Sequence, residues 1–243
     1  MTTVLVTGGA SGIGQATARV LAARGAQVVV ADVDEIGARN TADEVGGASI
    51  RVDVADIASV ATMVAFCVER FGGLDWACNI AGIAPEAKPF VEHTADEWRR
   101  TIDVDLSGVF FCMQHELRQM TEQGRGGAIV NMASAAGVVP APGQPQYTAA
   151  KHGVLGLTKQ AAQEFARSGI RVNAVLPGQT DTAPMRAYLD ALPDRGEKMA
   201  RRLPMGRLAS PEEIAHTVAW LCSDEASYVN GVSLVVDGGL IAR

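Results

Sequence analysis

The sequence predicts a single-domain α/β fold, in which a doubly wound parallel sheet of about seven strands carries helices on both faces. Strand-sized apolar runs rich in Val, Ile, Leu and Ala alternate with amphipathic, helix-period stretches along all 243 residues. The strand runs are continuously apolar, which is typical of strands buried on both faces, and their alternation with helices indicates βαβ units. No linker-like segment interrupts the pattern, so we expect one domain over residues 1–243.

Seven strand-sized runs and five helix-period stretches follow one another along the chain. The strands are predicted near 3–7, 27–32, 48–52, 74–78, 127–133, 170–176 and 232–236. The helices are predicted near 12–24, 56–70, 96–120, 146–167 and 210–222. Prolines are absent before Pro85 and cluster after the fifth and sixth strands. Because ligands of open α/β sheets bind at the carboxyl ends of the strands, these loops mark the expected binding edge.

The composition excludes several classes of protein. Hydrophobic residues make up 48% and charged residues 20% of the chain, which is typical of a globular protein and not of a disordered one. A formal net charge of -6 argues against nucleic acid as the main partner, and the apolar runs are too short to span a bilayer. The four histidines lie far apart, so no metal site is expected. The four cysteines show no paired spacing, which favours a reducing, cytoplasmic location.

A glycine-rich turn follows the first predicted strand. It reads Gly8-Gly9-Ala10-Ser11-Gly12-Ile13-Gly14 and leads into the first predicted helix. Glycines in such a turn let the backbone approach a pyrophosphate closely, and the helix N-terminus offers unpaired N–H groups. The spacing differs from the GxGxxG fingerprint of the standard dinucleotide-binding unit, and a tight strand–helix connection is the alternative interpretation. The position at the first βα junction favours binding of a nucleotide cofactor.

An acidic residue, Asp32, ends the second predicted strand about 20 residues after this turn. A carboxylate in this position accepts hydrogen bonds from the adenosine ribose hydroxyls, and its charge repels a 2′-phosphate. An ordinary helix N-cap is the alternative, since Asp caps helices well. We therefore expect NAD, in preference to NADP, as the cofactor.

Further candidate cofactor-binding residues fall at the ends of the third and fourth predicted strands. They are Asp53 and Val54 after the third strand, and Asn79, Ala81 and Gly82 at the end of the fourth. Asp53 is suited to bind the adenine amino group, while Asn79 and Gly82 suit a loop that passes beneath the nucleotide. Each alone fits a cap or a turn equally well. Their shared position at one edge of the sheet is what favours a cofactor site.

Tyr147 and Lys151 are the candidate catalytic pair. They lie four residues apart in a helix-period stretch, so their side chains share a face of the helix. A free tyrosine, with a pKa of about 10, is a poor base at neutral pH, but a neighbouring ammonium stabilises the phenolate. Tyr147 is then the expected base in alcohol oxidation and the acid in carbonyl reduction. Ser134, which follows the fifth strand, is expected to polarise the substrate oxygen.

Taken together, these motifs resemble the short-chain dehydrogenase/reductase family over essentially the whole chain, and in particular its 3-oxoacyl-reductase-like, NAD(P)-dependent oxidoreductases. The matching residues are Thr7, Gly8, Gly12, Gly14, Asp53, Val54, Asn79, Ala81, Gly82, Ser134, Tyr147, Lys151, Asn173, Pro177 and Gly178. The resemblance implies a Rossmann-type fold and an oxidoreductase. It also implies that Lys151 contacts the nicotinamide ribose, and that Pro177, Gly178, Thr180 and Thr182 lie beside the nicotinamide.

One residue of the predicted site departs from the family pattern. Where the family usually has an Asn in the helix after the fourth strand, this chain has Asp105. In the family, that Asn stabilises a helix kink and binds a water molecule that connects to the active-site lysine. Part of this role belongs to its backbone carbonyl and is therefore retained when the side chain is that of Asp. An ionised Asp105 near Lys151 would offset part of the effect of the lysine on Tyr147. We therefore expect an active enzyme with a more alkaline optimum than its Asp105→Asn variant.

The expected substrate pocket is bounded by small, apolar and amide-bearing residues. Residues 135–146, including Gln144, form one predicted wall, residues 83–85 form a second, and residues 183–207 are predicted to form a helical lid with hinges at its prolines. The charges of this lid are mixed, so nothing in it requires an anionic substrate. A small alicyclic or aryl secondary alcohol, or its ketone, is the expected substrate.

Two other functions are also compatible with the sequence. The first is an NADPH-type 3-oxoacyl-(acyl-carrier-protein) reductase, but Asp32 disfavours NADP. Of the basic pair that docks the carrier in that subfamily, Arg125 matches one member and Ser168 stands in place of the other. The second is a non-catalytic NAD-binding sensor or scaffold, against which the complete catalytic set argues.

The assembly is predicted from the resemblance. Family members usually form dimers or tetramers through two long helices, here those near 96–120 and 146–167, and through the C-terminal segment. We therefore expect a homotetramer, with a dimer as the alternative.

Overall fold

Seven strands form one parallel sheet in the computed structural model, which describes residues 1–190 and 203–242. The strands are β1 (Thr3–Thr7), β2 (Gln27–Asp32), β3 (Ala48–Arg51), β4 (Trp76–Asn79), β5 (Gly127–Met132), β6 (Ile170–Pro177) and β7 (Ser233–Val236). Their order across the sheet is β3-β2-β1-β4-β5-β6-β7, and all neighbouring pairs are parallel. The predicted doubly wound α/β fold of about seven strands is confirmed.

Helices connect these strands on both sides of the sheet. The α-helices of the described residues are α1 (Gly12–Ala23), α2 (Glu35–Val45), α3 (Ile57–Phe71), α4 (Ala95–Ile102), α5 (Gly108–Gln123), α6 (Pro145–Phe165), α7 (Ala183–Asp190) and α8 (Pro211–Cys222). A π-helical segment, Asp103–Ser107, joins α4 to α5, and a 3₁₀ turn, Ala135–Gly137, follows β5. No helix of this described part of the chain is long and apolar enough to cross a bilayer.

Two features of the helices differ from the sequence prediction. The helix predicted near 96–120 is divided by the π-helical segment 103–107, where the backbone makes wider turns. The helix α2 was not predicted, because it buries only Ala38, Thr41 and Ala42, and such small residues give little apolar periodicity. Both differences lie next to the cleft described below.

The apolar core consists of two layers, one on each face of the sheet. One layer joins the sheet to α3, α5 and α6 through residues such as Val60, Val109 and Val154. The other joins the opposite face to α1, α2 and α8 through residues such as Ala18 and Val218. Because both faces are covered, the five inner strands are buried along nearly their whole length, which explains their continuous apolar sequences, whereas the edge strands β3 and β7 are only partly buried.

The strand order reverses between β1 and β4, in the middle of the sheet. The chain runs outward from β1 to β3 and then returns to the other side of β1 with β4. At this position Thr7 is in register with Ala31 of β2 on one side and with Asn79 of β4 on the other. Ligands of open α/β sheets bind outside the carboxyl ends of the strands at such a switch point.

Candidate active site

A cleft of about 920 Å³ opens at the carboxyl ends of the central strands. It extends from the glycine-rich turn after β1 to the first turns of α6. The predicted site residues that line it are Gly8, Ser11, Gly12, Ile13, Gly14, Asp32, Asp53, Val54, Ala81, Gly82, Asp105, Ser134, Tyr147, Lys151, Pro177, Gly178, Thr180 and Thr182. The structure thus brings together residues from nearly every strand end, over 170 positions of sequence. Only Asn79 and Gln144 of the predicted set do not line it.

The glycine-rich turn has the close packing that a pyrophosphate cradle requires. A Cβ atom on Gly8, whose φ is +69°, would lie 2.8 Å from the backbone of Ala81. A Cβ atom on Gly14 would lie 2.0 Å from the carbonyl oxygen of Gly8. Ser11 is the N-cap of α1, and its side chain makes no cap bond to the helix. The Ser11 side chain therefore leaves the N–H groups of the first helical turn uncapped, as an anion site needs.

Asp32 is fixed at the edge of this turn by two backbone groups. Its Oδ2 accepts a hydrogen bond from the Ala10 N–H at 3.0 Å, and its Oδ1 accepts one from the Asp34 N–H at 3.0 Å. The carboxylate is thereby attached to the glycine-rich turn and lines the cleft. Arg39, the next basic residue along the chain, pairs with Glu35 at 2.8 Å. Asp32 therefore presents a carboxylate, a hydrogen-bond acceptor, at this end of the cleft.

Thr7 joins the first strand to the loop after the fourth. Its Oγ1 accepts hydrogen bonds from the N–H groups of Ile80 and Ala81, at 3.1 and 3.3 Å. This pairing fixes the loop that carries Ala81 and Gly82 against the glycine-rich turn. The resulting surface forms the floor of the cleft at the switch point.

Ser134 and Tyr147 are held on two adjacent elements at the far end of the cleft. Ser134 caps the 3₁₀ turn after β5, where its Oγ accepts a hydrogen bond from the Ala136 N–H at 3.1 Å. The hydroxyl proton of Ser134 is therefore available to a substrate oxygen. Tyr147 lies in the first turn of α6, which begins at Pro145, a residue well suited to the first position of a helix.

Lys151 lies one turn further along α6, buried beneath Tyr147. Its Nζ is 5.4 Å from the centroid of the Tyr147 ring and donates a hydrogen bond to the Met132 carbonyl oxygen at 3.2 Å. The side chain of Lys151 is only 4% exposed. A buried ammonium close to the phenol is the arrangement that stabilises a phenolate.

Asp105 contacts Lys151 directly. The Oδ1 atom of Asp105 lies 3.2 Å from the lysine Nζ and accepts a hydrogen bond from the Ile83 N–H at 3.1 Å. Asp105 is fully buried in the π-helical segment, and its Oδ2 has no hydrogen-bond partner within the described residues. Burial raises the pKa of the Asp105 carboxyl, an effect that the charge of Lys151 partly offsets. Burial lowers the pKa of Lys151, but the charges of Asp105 and Tyr147 outweigh it, so this pKa is raised overall.

The loop after β6 closes one side of the cleft. Thr180 is nearly buried, its Oγ1 donates to the Gly178 carbonyl oxygen at 3.3 Å, and it pairs with Ala209 in a short parallel bridge. The Thr182 side chain lies 3.3 Å from the position of a Cβ atom on Gly12, so this loop contacts the glycine-rich turn. Of the predicted lid, Met185 of α7 lines the cleft, while residues 191–202 lie outside the described residues.

Two predicted site residues have other surroundings. The buried Asn79 side chain donates its Nδ2 hydrogens to Glu116 Oε2 at 2.9 Å and to Asn131 Oδ1 at 3.1 Å, below the floor of the cleft. Gln144 donates to the Pro85 carbonyl oxygen and lines a separate depression of about 740 Å³ next to the cleft. The structure therefore gives Asn79 a supporting position, and the expected contact of Gln144 with substrate stays a prediction.

The sequence did not indicate two groups that contact predicted site residues, one at Lys151 and the other at Asn79. One is the Met132 carbonyl oxygen that binds Lys151, a backbone group with no residue-type signal. The other is Glu116, which is fully buried although it belongs to an amphipathic helix. The spacing of Glu116 in the sequence could have indicated that it is buried. Cys112 and Met120, one helical turn away on either side, are both apolar core residues.

Comparison with known proteins links this site to a large group of oxidoreductases. Residues 8–241 match the family described as "Enoyl-(Acyl carrier protein) reductase". The chain is 49% identical over 243 residues to cis-4-hydroxycyclohexanecarboxylate dehydrogenase of Sinomonas cyclohexanicum, covering 98% of this chain and 96% of the relative. It is 43% identical over 244 residues to cyclohexanol dehydrogenase of Acinetobacter sp. (strain SE19), covering 98% and 94%. The crystal structure of levodione reductase superposes with a TM-score of 0.94 at 38% identity, covering 100% and 98%.

Proposed function

Because the chain belongs to the short-chain dehydrogenase/reductase family of oxidoreductases, we propose that it is an NAD-dependent dehydrogenase that interconverts a small cyclic secondary alcohol and its ketone. The observation that carries this proposal is the buried Lys151 ammonium beneath the ring of Tyr147, at the end of a cleft that also holds Ser134. A dinucleotide bound along the cleft would have its pyrophosphate at the glycine-rich turn and its nicotinamide near Thr180 and Thr182.

Ser134 and Tyr147 perform the proton chemistry in this mechanism. The Ser134 hydroxyl donates a hydrogen bond to the substrate oxygen, and Tyr147 accepts the hydroxyl proton during oxidation or returns it during reduction. Lys151 stabilises the phenolate that forms, because its ammonium group is buried and cannot be screened by bulk water. When bound, the nicotinamide supplies the acceptor or donor of the hydride.

Asp105 compensates the buried charge of Lys151. An unpaired ammonium in this position would be costly, and the carboxylate at 3.2 Å reduces that cost. The same carboxylate reduces the effect of Lys151 on Tyr147, since the two charges act on the phenolate with opposite signs. We propose that this direct pair replaces the water-linked arrangement that the family Asn supports, and that it keeps the enzyme active with an alkaline optimum.

The preference for NAD rests on Asp32. Its two backbone hydrogen bonds hold the carboxylate against the glycine-rich turn, where the adenosine ribose would lie. A 2′-phosphate in that position would meet a negative charge, and Arg39 is already paired with Glu35. These contacts support NAD as the cofactor.

The substrate class is supported by the relatives and by the cleft. The two reported relatives are named for cyclohexanol and for a hydroxycyclohexanecarboxylate, both of which carry a secondary hydroxyl on a six-membered ring. Around the catalytic end, the cleft is lined by the small or apolar residues Ile83, Ala84 and Met185. A ring of this size fits such walls, and the catalytic hydroxyls supply the polar contacts.

The test of this function is an initial-rate comparison over a panel of alcohols. Cyclohexanol, cis-4-hydroxycyclohexanecarboxylate and linear secondary alcohols are each assayed with NAD and with NADP at pH 7 and pH 9. We expect the highest kcat/KM for a cyclic alcohol with NAD. Faster turnover of linear alcohols than of any ring would contradict the substrate class, and a preference for NADP would contradict the role of Asp32.

A carrier-linked 3-oxoacyl reductase is the second candidate function, because a relative from Thermotoga maritima that is 40% identical over 243 residues is named a 3-oxoacyl-[acyl-carrier-protein] reductase. Arg125, the residue expected to dock the carrier, is engaged in an ion pair with Asp75 at 2.8 Å. This pair reduces the positive charge available to an acidic carrier. Reduction of a 3-oxoacyl thioester with NADPH faster than oxidation of every alcohol in the panel would favour this second candidate.

We also propose a homotetramer, with a dimer as the alternative. Trp98 of α4 and Phe110 of α5 expose 44% and 45% of their surface, on the helices expected to form one interface. Near the C-terminal segment, Tyr228 is fully exposed. Aromatic side chains of this kind are enriched in the cores of protein interfaces.

A reducing, cytoplasmic location is supported by the cysteines. Cys67, Cys78, Cys112 and Cys222 are all free and buried. Cys78 and Cys222 face each other with their sulfur atoms 3.8 Å apart, yet they are not bonded. Free thiols in such proximity are typical of proteins from a reducing compartment.

A further inference from the structure

Glu116 of α5 is a fully buried carboxyl group that the proposed mechanism does not use. Its Oε2 accepts one hydrogen bond, from the Asn79 Nδ2 at 2.9 Å. No Lys, Arg or His of the described residues forms an ion pair with it. Isolated buried carboxylates are costly, so such a group needs either a cation or a proton.

Among residues 1–190 and 203–242, the titratable groups that interact with Glu116 are three thiols. They are Cys67 of α3, Cys78 of β4 and Cys112 of its own helix. Burial raises the pKa of Cys67 to about 12 and also raises the pKa of Cys112. A hydrogen bond with Cys222, together with burial, raises the pKa of Cys78. All three thiols are therefore neutral near pH 7, and Asn131 of β5 and Thr158 of α6, which continue the hydrogen-bond network from Asn79, do not titrate.

Two buried atoms of the Glu116–Asn79 pair have no partner within the described residues. They are Glu116 Oε1 and Asn79 Oδ1. Both atoms are acceptors if the carboxyl is ionised, so neither can satisfy the other. A proton on Oε1 turns that atom into a donor, and the oxygen of the same Asn79 amide that binds Oε2 is an acceptor without a hydrogen bond.

We propose that Glu116 is a neutral carboxylic acid in the working enzyme, and that it positions the cofactor floor through a cyclic, two-hydrogen-bond pair with the Asn79 amide. In this pair the Asn79 Nδ2 donates to Oε2, and the Glu116 Oε1 hydroxyl donates to Asn79 Oδ1. The pair leaves both groups satisfied without any cation, as a buried polar network requires.

The pair connects directly to the elements of the cleft. Asn79 ends β4 and is followed by Ile80 and Ala81, whose N–H groups bind Thr7. Its Nδ2 also donates to Asn131 Oδ1 at 3.1 Å, and Asn131 precedes Met132, whose carbonyl oxygen binds Lys151. Glu116 is thus a positioning residue that acts through the ends of β4 and β5.

Because Glu116 can lose its proton, the way it positions the ends of β4 and β5 depends on pH. Burial raises the pKa of Glu116 from 4.5 to about 7, although the Asn79 hydrogen bond opposes the shift. The neutral Glu116 therefore contributes fully to the free energy of unfolding below about pH 4.5. This contribution is lost as the pH rises through about 7. Ionisation also places a negative charge below the loop that would face an anionic pyrophosphate. Affinity for the cofactor should fall over the same pH range, and this part of the inference rests on the proposed function.

The acid–amide pair is tested on the protein without cofactor. Glu116→Gln keeps a carbonyl acceptor and adds an N–H donor in place of the acid hydroxyl, so it mimics the neutral form at every pH. Glu122→Gln, on the exposed face of the same helix, is the matched control. We expect the infrared difference spectrum between parent and Glu116→Gln to show a carboxylic-acid carbonyl band at pH 5.5 that disappears by pH 9. The absence of this band at pH 5.5 would overturn the proposal.

The thermal unfolding midpoint gives a second measurement. We expect the midpoint of the parent to fall relative to that of Glu116→Gln as the pH rises from 5 to 8.5, while Glu122→Gln follows the parent throughout. Parallel pH profiles for the parent and Glu116→Gln would contradict a neutral acid. If Glu116→Gln does not fold, the infrared titration of the parent, compared with Glu122→Gln, decides the question.

The positioning role is tested by the affinity for NAD. We expect the dissociation constant of the parent to rise about fivefold between pH 6 and 8.5, at the lower end of typical couplings between sites, and that of Glu116→Gln to change less. By reciprocity, saturating NAD shifts the infrared midpoint upward by about 0.7 pH unit. A midpoint that NAD does not move would overturn the positioning role. If NAD does not bind at all, the proposed function fails while the infrared and unfolding results still decide on the acid–amide pair.

Discussion

Lys151 connects the catalytic residues through three contacts of one ammonium group. Its Nζ lies beneath the Tyr147 ring, binds the Met132 carbonyl oxygen and pairs with Asp105. The position of this ammonium is therefore fixed by three different elements of the fold. The presence of Tyr147, Lys151 and Ser134 in one cleft could be predicted from the sequence, because the chemistry proposed for them depends on residue type and spacing. The Met132 carbonyl could not, because backbone groups carry no signal in the sequence.

The substitution Asp105→Asn tests the buried pair. Removing the carboxylate leaves the charge of Lys151 unopposed beside Tyr147, so we expect the pH–rate profile to move in the acid direction. We expect a shift of about half a unit to one unit in the profile of kcat/KM, with activity retained. Asp43→Asn, an exposed residue of α2, is the control. A profile that overlays that of the parent would show that Asp105 has no electrostatic role.

The substitution Asp32→Ala tests the choice of cofactor. Loss of the carboxylate removes the repulsion of a 2′-phosphate and the hydrogen bonds to the ribose, so the ratio of kcat/KM for NAD to that for NADP should fall by about tenfold or more. Steady-state rates with each cofactor give this ratio. Asp34→Asn, which removes a neighbouring charge but keeps a capping side chain, should leave it nearly unchanged. An equal fall in both variants would argue against a specific role for Asp32.

The connection between α4 and α5 determines where Asp105 lies. The sequence predicts one continuous helix near 96–120, whereas the structure has a π-helical segment at 103–107 that carries Asp105. Apolar periodicity does not distinguish a π-helical turn inside a long helix from an α-helical one, because the pattern shifts by only one residue. The direct contact between Asp105 and Lys151 therefore needed the structure, although the sequence indicated that the two residues would be close.

Arg171 of β6 caps the C-terminal end of α8, and its substitution tests how much this contact between two elements stabilises the fold. Its guanidinium donates to the carbonyl oxygens of Leu221, Cys222 and Ser223, at 2.6, 3.0 and 3.1 Å, at the end of α8. A cation at a helix C-terminus stabilises the helix, because the last carbonyl groups of a helix have no donors within the helix. We expect Arg171→Ala to lower the free energy of unfolding by about 2 kcal/mol in urea denaturation. Arg24→Ala, an exposed site after α1, should change it by less than about 0.5 kcal/mol, and equal effects would contradict the capping role.

The whole molecule places its cleft at the switch point of a doubly wound sheet. The seven strands and the position of the cleft at their carboxyl ends could be predicted from the sequence. Each apolar strand segment is local in the chain, and the polar and glycine motifs follow directly after the strands. The sequence did not predict α2, whose buried residues are small, or the Glu116–Asn79 pair, whose members are separated by 37 positions. Contacts of that range depend on how the helices pack on the sheet and are not visible in local periodicity.

The assembly is also tested on the whole molecule. We expect light scattering to give a tetramer for the parent and a smaller species for Phe110→Glu, because the charge would be buried in an interface that includes α5. Phe90→Glu changes an exposed aromatic residue outside the expected interfaces and is the control. A tetramer or dimer that both variants leave intact would show that α5 does not form the contact.

In the proposed reaction, Tyr147 enables direct hydride transfer from a cyclic alcohol to NAD. The most direct measurement uses cyclohexanol deuterated at the carbinol carbon, with mass spectrometry of the reduced cofactor. We expect the deuterium to appear in NADH, and Tyr147→Phe to slow the transfer by about 10²–10⁴-fold, while Tyr228→Phe, a fully exposed site, matches the parent. Reduced cofactor without deuterium, or a Tyr147→Phe variant as fast as the parent, would contradict the account.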